Sequence, residues 1–424
     1  MKNIIIPCLF LIFTLVSRFA DAQMVYAPPE KKLIDFGWNS PHIREYRENR
    51  KFYESGPFDG LTLKISKGAC GGNVFMVNNW ATTSKDSVEA ELNLVKAIGK
   101  SSSLTDNFIV IYGASQMDWF SDDDWALAED QLRFAARLAK TAGCKGVIWD
   151  PEPYKPGKNP WRYKEQENAQ AYTYEQYWHQ VRKRGGQFIH VLQEEFPGII
   201  IFSLRELSDW QNGSPFSGGL LPVTDREKTI GELEVAWWGL HPAFYAGILD
   251  SIKPGTELID ANEEAYYYTS SGEYYEIGHI LRDDAKALVP PELWNRHSCF
   301  NRIGHAISAD YIAGNWLGIS PFPYRLSAQG LMMTPGDRAK WFEHNAYYAL
   351  LTSDGYAWLY TENMNWWTGV NVPEGFREAL MRAREKVRAN RPLGFGISEI
   401  IRTAQDKAEG IYKMKGADGF SKIK

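Results

Sequence analysis

Short apolar runs alternate with amphipathic stretches along most of this 424-residue chain. Leu33, Ile34, Phe36 and Trp38 form a first run that closes on an Asn-Ser-Pro turn. Phe58, Leu61, Leu63 and Ile65 form a second, with a glycine-rich loop over 68–72 behind it. Val88, Leu92, Val95 and Ile98 recur at three- and four-residue spacing, which predicts a helix over 84–100. Residues 108–112 (Phe-Ile-Val-Ile-Tyr) predict a third strand. Ser121 and Asp122, Asp123 and Asp124 then open a helix over 125–141. A calcium loop is the other reading of those acids, but an N-cap with acids at the positive end of the helix dipole fits better. Gly143 suits the residue just past a helix end, and Val147, Ile148 and Trp149 predict a buried fourth strand.

The alternation continues. Tyr177, Val181, Phe188 and Leu192 mark a helix over 174–195, stopped by Phe196-Pro197-Gly198, and 199–203 is a fifth strand. A helix near 244–252, a weaker strand over 257–260 and a helix around 283–288 follow. A seventh strand is expected near 307–312, a helix over 337–351, an eighth strand over 355–360 and a closing helix over 374–390. Apolar strand runs separated by helices, with no hairpin spacing, mean a parallel sheet covered by helices. About eight such units, with no GxGxxG after the first strand, favour an α/β fold of the (β/α)₈ TIM-barrel type over a dinucleotide-binding sheet. The expected layout is one barrel domain with elaborated loops over 23–390, and an unassigned C-terminal extension over 391–424.

The first residues stand outside that pattern. Lys2, an apolar core over 4–16 and the small-residue site Ala20-Asp21-Ala22 read as a secretory signal peptide over 1–22. A secreted or periplasmic protein is therefore expected. No later run approaches the ~18 apolar residues of a membrane span. The net charge of −5 gives no support for a nucleic-acid partner. The chain has 4 cysteines; with Cys8 in the signal, Cys70, Cys144 and Cys299 remain, too sparse for a disulfide framework although one bridge is allowed. Without CxxC, HxH or HExxH, no metal site and no cofactor is expected. Oligomeric state is not legible. Aromatic residues make up 14 % of the chain, with 16 Trp and 22 Tyr, and many stand among polar neighbours, as in Trp237-Trp238 and Tyr266-Tyr267-Tyr268. One ring alone is more simply core packing, but the ensemble suits sugar faces.

In a parallel barrel the reactive groups stand at the C-terminal ends of strands. The fourth strand delivers Asp150 and Glu152, the fifth Arg205 and Glu206, the sixth Asp260, Asn262, Glu263 and Glu264, the seventh Asp310 and the eighth Glu362. Carboxylates, amides and rings are what glycosidic cleavage uses: one protonated carboxyl to assist the leaving oxygen, one carboxylate as nucleophile or base. Asp150 and Glu152, two residues apart, cannot both ionise easily, so one holds a proton towards neutrality. Glu152 is the candidate acid, Asp150 the group that tunes it, and Glu263 the candidate second carboxylate, with Glu264 and Glu362 as rivals. Trp38, Tyr154, Trp238 and Trp358 are candidate sugar platforms, Tyr266 part of a sugar-facing wall, and Arg205 and Arg302 possible acceptors of anionic sugars.

The strand-four stretch ending Asp150-Pro151-Glu152-Pro153-Tyr154 resembles glycoside hydrolases of the (β/α)₈ type, distantly the chitinase-like family with its D-x-x-D-x-D-x-E. That pattern lies over Lys145, Ile148, Asp150 and Glu152, so its last two acids are present. The resemblance implies an acid role for Glu152 and a supporting one for Asp150. Asn262-Glu263 also matches the Asn-Glu dipeptide of a larger retaining clan, though on the sixth strand and not the fourth. The expected function is a secreted O-glycosyl hydrolase acting on a poly- or oligosaccharide. The alternatives are a non-catalytic carbohydrate-binding barrel and a polysaccharide lyase or transglycosidase.

Overall fold

The computed structural model describes residues 30–154, 157–210, 231–314 and 328–415. The expected signal peptide lies outside them. Ten strands form one sheet: β1 (Lys32–Gly37), β2 (Gly60–Lys64), β3 (Asn73–Phe75), β4 (Phe108–Ser115), β5 (Gly146–Asp150), β6 (Ile200–Ser203), β7 (Glu257–Asp260), β8 (Asn301–Ile303), β9 (His305–Ser308) and β10 (Tyr356–Thr361). Their hydrogen-bonded order is β8-β7-β6-β5-β4-β2-β1-β10-β9, with β3 added alongside β4. All of these pairings are parallel. The first strand thus pairs with the last, Lys32 opposite Tyr356, and the sheet curls into a nearly closed parallel barrel consistent with the TIM type.

Only Gly304 separates β8, which pairs with β7, from β9, which pairs with β10. An Asp354 carboxylate oxygen accepts the Ile303 N–H at 2.8 Å, and the Asp354 N–H donates to the Ile303 carbonyl at 2.8 Å. That exchange bridges β8 to the segment leading into β10. The expected seventh strand near 307–312 is displaced here. Ala309–Ala313 is a short helix whose N-terminus is capped by the Ser308 hydroxyl, and the strand lies earlier, where the buried His305 and Gly304 interrupt the apolar run. A short apolar run does not reveal its own periodicity.

Elsewhere the local rules operate as read. Ser121 accepts the Asp124 N–H and starts the helix Asp122–Thr141, so the acids there belong to a cap. Thr173 and Gln176 form a capping box at the helix Tyr174–Glu195. A single 3₁₀ turn, Asp284–Ala287, stands where a helix is expected around 283–288. A helix absent from the expected pattern precedes it, Ser271–Arg282, with its own box from Ser270 and Glu273; it buries Tyr274, Ile277, Gly278 and Leu281 at helical spacing. The described part of the C-terminal extension is the helix Ser398–Lys415, and Leu393, Ile397, Ile401 and Ala404 join the main core. Among the described residues no helix is long and apolar enough to cross a membrane.

Rings fill the barrel. Phe108, Phe202 and Tyr356 pack edge-on or tilted at 5.8–6.0 Å. Above them Trp358 lies against Phe36 and Tyr266, its indole N–H donated to the Ala261 carbonyl at 2.9 Å. Gly146, which opens β5, pairs with Ile200, and an added Cβ would run into the Ile200 carbonyl. Backbone cannot step aside as a side chain can. Gly146→Ala should therefore cost about 1–3 kcal/mol, read as a lower urea midpoint with an unchanged slope; an unshifted midpoint would mean that β5 and β6 are not held this closely.

Candidate active site

Trp149 turns outward from β5 onto Phe188 and Phe244 of two covering helices, with centroids 5.2 and 6.5 Å away. Strand alternation then sends Asp150 into the barrel mouth. There it is almost fully buried and organises the turn that follows. Its Oδ1 accepts the Glu152 N–H at 3.2 Å and its Oδ2 accepts the Tyr154 hydroxyl at 3.0 Å. The turn is anchored from behind by the Trp161 indole, which donates to the Pro151 carbonyl at 2.7 Å.

Arg205, just past β6, reaches across to that turn. Its Nε donates to Glu152 Oε1 at 2.7 Å, and Nη2 lies 2.6 Å from the same oxygen. The same Nη2 lies 2.9 Å from Glu263 Oε1, and Nη1 lies 3.0 Å from Asp209 Oδ2. One buried guanidinium therefore gathers acids from the ends of β5, β6 and β7. The fork of donors suits this, because each N–H has a fixed direction.

Glu263 is aimed by an unusual backbone. The preceding Asn262 sits at φ 44°, in the left-handed region, where asparagine is tolerated better than other side-chain-bearing residues. Its own contacts hold it there: Nδ2 donates to Tyr268 Oη at 3.1 Å and to His305 Nδ1 at 3.0 Å, and its N–H donates to Asp260 Oδ1 at 3.1 Å. Since His305 Nδ1 accepts, its proton rides on Nε2, 3.0 Å from Thr352 Oγ1. Burial pushes His305 down to about 3, so this support is neutral.

Four carboxyls around one cation, mostly out of water, cannot all be charged. Burial, reinforced by the Glu152 charge, pushes Asp150 up to about 7. Burial raises Glu263 well above the usual range despite the pull of Arg205, with Glu152, Asp209 and Asp150 adding to the rise. Burial lifts Asp209 to about 6, opposed by Arg205. The cluster thus keeps protons near neutrality.

Asp150 and Glu152 on one turn and Glu263 from a distant strand end, the three sequence candidates, lie together here with Tyr154 and Arg205. The other chosen residues divide. Trp38 stands at the rim, 55 % exposed, its ring 6.4 Å from Tyr154. Trp238 is buried, 5.9 Å from the Arg205 guanidinium and stacked on Trp161; its neighbour Trp237 is the exposed one, at 43 %. Tyr266 and Trp358 are buried beneath the site against each other. Of the rivals, Glu264 is buried, and Glu362 stands by Asp310, which accepts its N–H at 2.7 Å. Arg302 lines a cavity of about 830 Å³ with Lys31, Lys145 and Glu257, residues at the opposite ends of the strands. Asp209 is not among the sequence candidates, though its i,i+4 spacing from Arg205 is a faint signal; Trp237 is read there only as one of a ring pair, with nothing to set it apart from Trp238.

No protein-family model matches the chain, and no curated protein matches it.

An acid whose folded pKa is raised holds its proton in the folded state after losing it in the unfolded one. Its contribution to stability therefore falls as pH rises, from about 4, where the unfolded carboxyl ionises, through the folded value of about 7 for Asp150. Asp150→Asn removes that contribution. Thermal melts between pH 4 and 8 should show a shallower decline than the wild type; an equally steep decline would mean that Asp150 does not hold its proton in the folded protein.

Proposed function

We propose that this chain is an exported glycoside hydrolase that works with retention of configuration, using Glu152 and Glu263. The observation that carries the reading is the pair of carboxylate oxygens at 2.6 and 2.9 Å from a single Arg205 nitrogen. Two oxygens so placed cannot be further apart than those distances laid end to end. A nearest-oxygen separation within that bound is compatible with the ~5–5.5 Å carboxyl spacing of retaining enzymes. Supporting it are the strand-end position of both acids, the aromatic mouth and the signal-like pattern of residues 1–22. Counting β8 and β9 as one strand interrupted at Gly304 also makes the ring eightfold, as a (β/α)₈ barrel requires.

Sequence alone favoured Glu152 as the acid. The burial of Glu263 favours exchanging the roles. Glu263, whose burial favours the protonated carboxyl, gives its proton to the leaving oxygen as the glycosidic bond breaks. A Glu152 carboxylate oxygen attacks the anomeric carbon and forms a glycosyl ester. Esterification removes the Glu152 charge, one of the charges that raise Glu263. The Glu263 pKa then falls, so the carboxyl that has given up its proton stays ionised and can take one from the water that attacks the ester. Asp150 and Tyr154 hold the Glu152 turn in place. A sugar-binding barrel without chemistry would use the same arginine-held carboxylates as hydroxyl acceptors.

The substitutions Glu152→Gln and Glu263→Gln separate these readings. On aryl glycosides of a poor leaving group both should lower kcat by roughly 10²–10⁴-fold or more. With a dinitrophenyl leaving group, E263Q should recover, and added azide should yield a glycosyl azide of retained configuration. E152Q should stay slow, and azide should yield the inverted product. The opposite pattern would return the acid role to Glu152, and wild-type turnover by both variants would remove the pair from the mechanism.

A further inference from the structure

The two tryptophans exposed beside the acid cluster stand on opposite sides of the barrel mouth. Trp38 follows β1; Trp237 lies between β6 and β7. Along the sheet β2, β4 and β5 separate β1 from β6 on one side, and β7, β8/β9 and β10 on the other. Strands spaced ~4.8 Å apart and tilted ~36° make an eightfold ring about 15 Å across, further than one sugar ring spans. Each indole is linked to the acid cluster through one neighbouring residue. Trp38 packs its ring against Tyr154, which donates to Asp150. Trp237 adjoins Trp238, whose ring lies under the Arg205 guanidinium that holds Glu152 and Glu263.

Both rings are braced as binding surfaces are. Trp38 hydrogen-bonds Tyr360 through its side chain, which fixes the indole edge, and Lys64 Nζ stands 5.9 Å from its ring centroid. The Arg162 guanidinium lies 5.0 Å from the Trp237 centroid, and the Trp237 carbonyl accepts the Asn159 amide at 3.2 Å. A cation over one face orders the ring and leaves the other for an apolar partner. A ring fixed in advance loses little entropy when a ligand stacks on it. An isolated exposed tryptophan needs no explanation; two of them, each braced and each linked to one acid cluster, form a track.

Resting on the glycosidase reading, we infer that the mouth takes a polysaccharide chain. That chain runs from Trp38 across Glu152 and Glu263 to Trp237 and is cut internally. Sugar units would stack on both sides of the broken bond, so cleavage at chain ends alone is not what this arrangement serves.

The test pairs cleavage with binding. From a panel of neutral polysaccharides, the wild type should lower viscosity early and release mixed oligosaccharides. Trp38→Ala and Trp237→Ala should each lower kcat/KM on the polymer roughly tenfold further than on an aryl monoglycoside. Monosaccharide as the sole early product, or equal losses on the two substrates, would overturn the track. Should the wild type cleave nothing, the glycosidase reading fails by itself. The track is then judged by affinity electrophoresis in polysaccharide gels, on E152Q with and without each tryptophan substitution. Weaker retention by both tryptophan variants upholds it; retention unchanged by either, or absent throughout, overturns it.

Discussion

The site depends on one buried cation. Arg205 is placed by the turn after β6, and without it the acids from β5 and β7 would be like charges facing each other out of water. A guanidinium can serve both at once because its donors are fixed in a plane, where an ammonium would sit as a single point between them. Removing one partner of such a buried pair typically costs ~3–5 kcal/mol. The arrangement is therefore tense. Arg205 compensates part of the negative charge, and protons retained on Asp150, Glu263 and Asp209 compensate the remainder. A group poised between two protonation states is what acid–base chemistry uses, so the feature that strains the fold is the one that suits it to the proposed reaction.

Much of the scaffold was legible in the chain. Val147, Ile148 and Trp149 announced β5 because a strand buried on both faces has no polar positions, and Ser121 announced a helix because its hydroxyl has one local task. The failures share a cause. β8 and β9 were displaced because Gly304 and His305 break the apolar run for reasons set by distant residues: Asn262 on one side of the imidazole and Thr352 on the other. The helix Ser271–Arg282 is not legible in the pattern, because the buried Tyr274 stands beside the exposed Tyr275 and hides which face is apolar. Adjacent identical residues defeat composition-based reasoning, as Trp237 and Trp238 show again. The acids were found by their place at strand ends. Arg205 is legible by the same rule, but as a sugar contact; that it pairs with Glu152 and Glu263 is not, since an ion pair between separate strands leaves no spacing to read.

The support beneath Glu263 has a different character from the cluster itself. His305 is held neutral, the Asn262 backbone is held in the left-handed region, and neither carries charge into the site. Charge is thus confined to the groups facing the mouth. The buried layer below supplies shape, through Tyr266, Trp358 and Phe36.

The pairing of β1 with β10, Lys32 against Tyr356, bears on how the molecule forms. These partners are separated by most of the chain, and contacts of that separation are slow to establish because a large loop must close before they are rewarded. During synthesis the ring cannot shut until its last strand exists. Until then β1 has β2 on one side and a bare edge on the other, and such an edge readily pairs with another chain. The interval between making residue 37 and making residue 361 is when this protein is most exposed to aggregation, and no shortened chain lacking β10 can escape it.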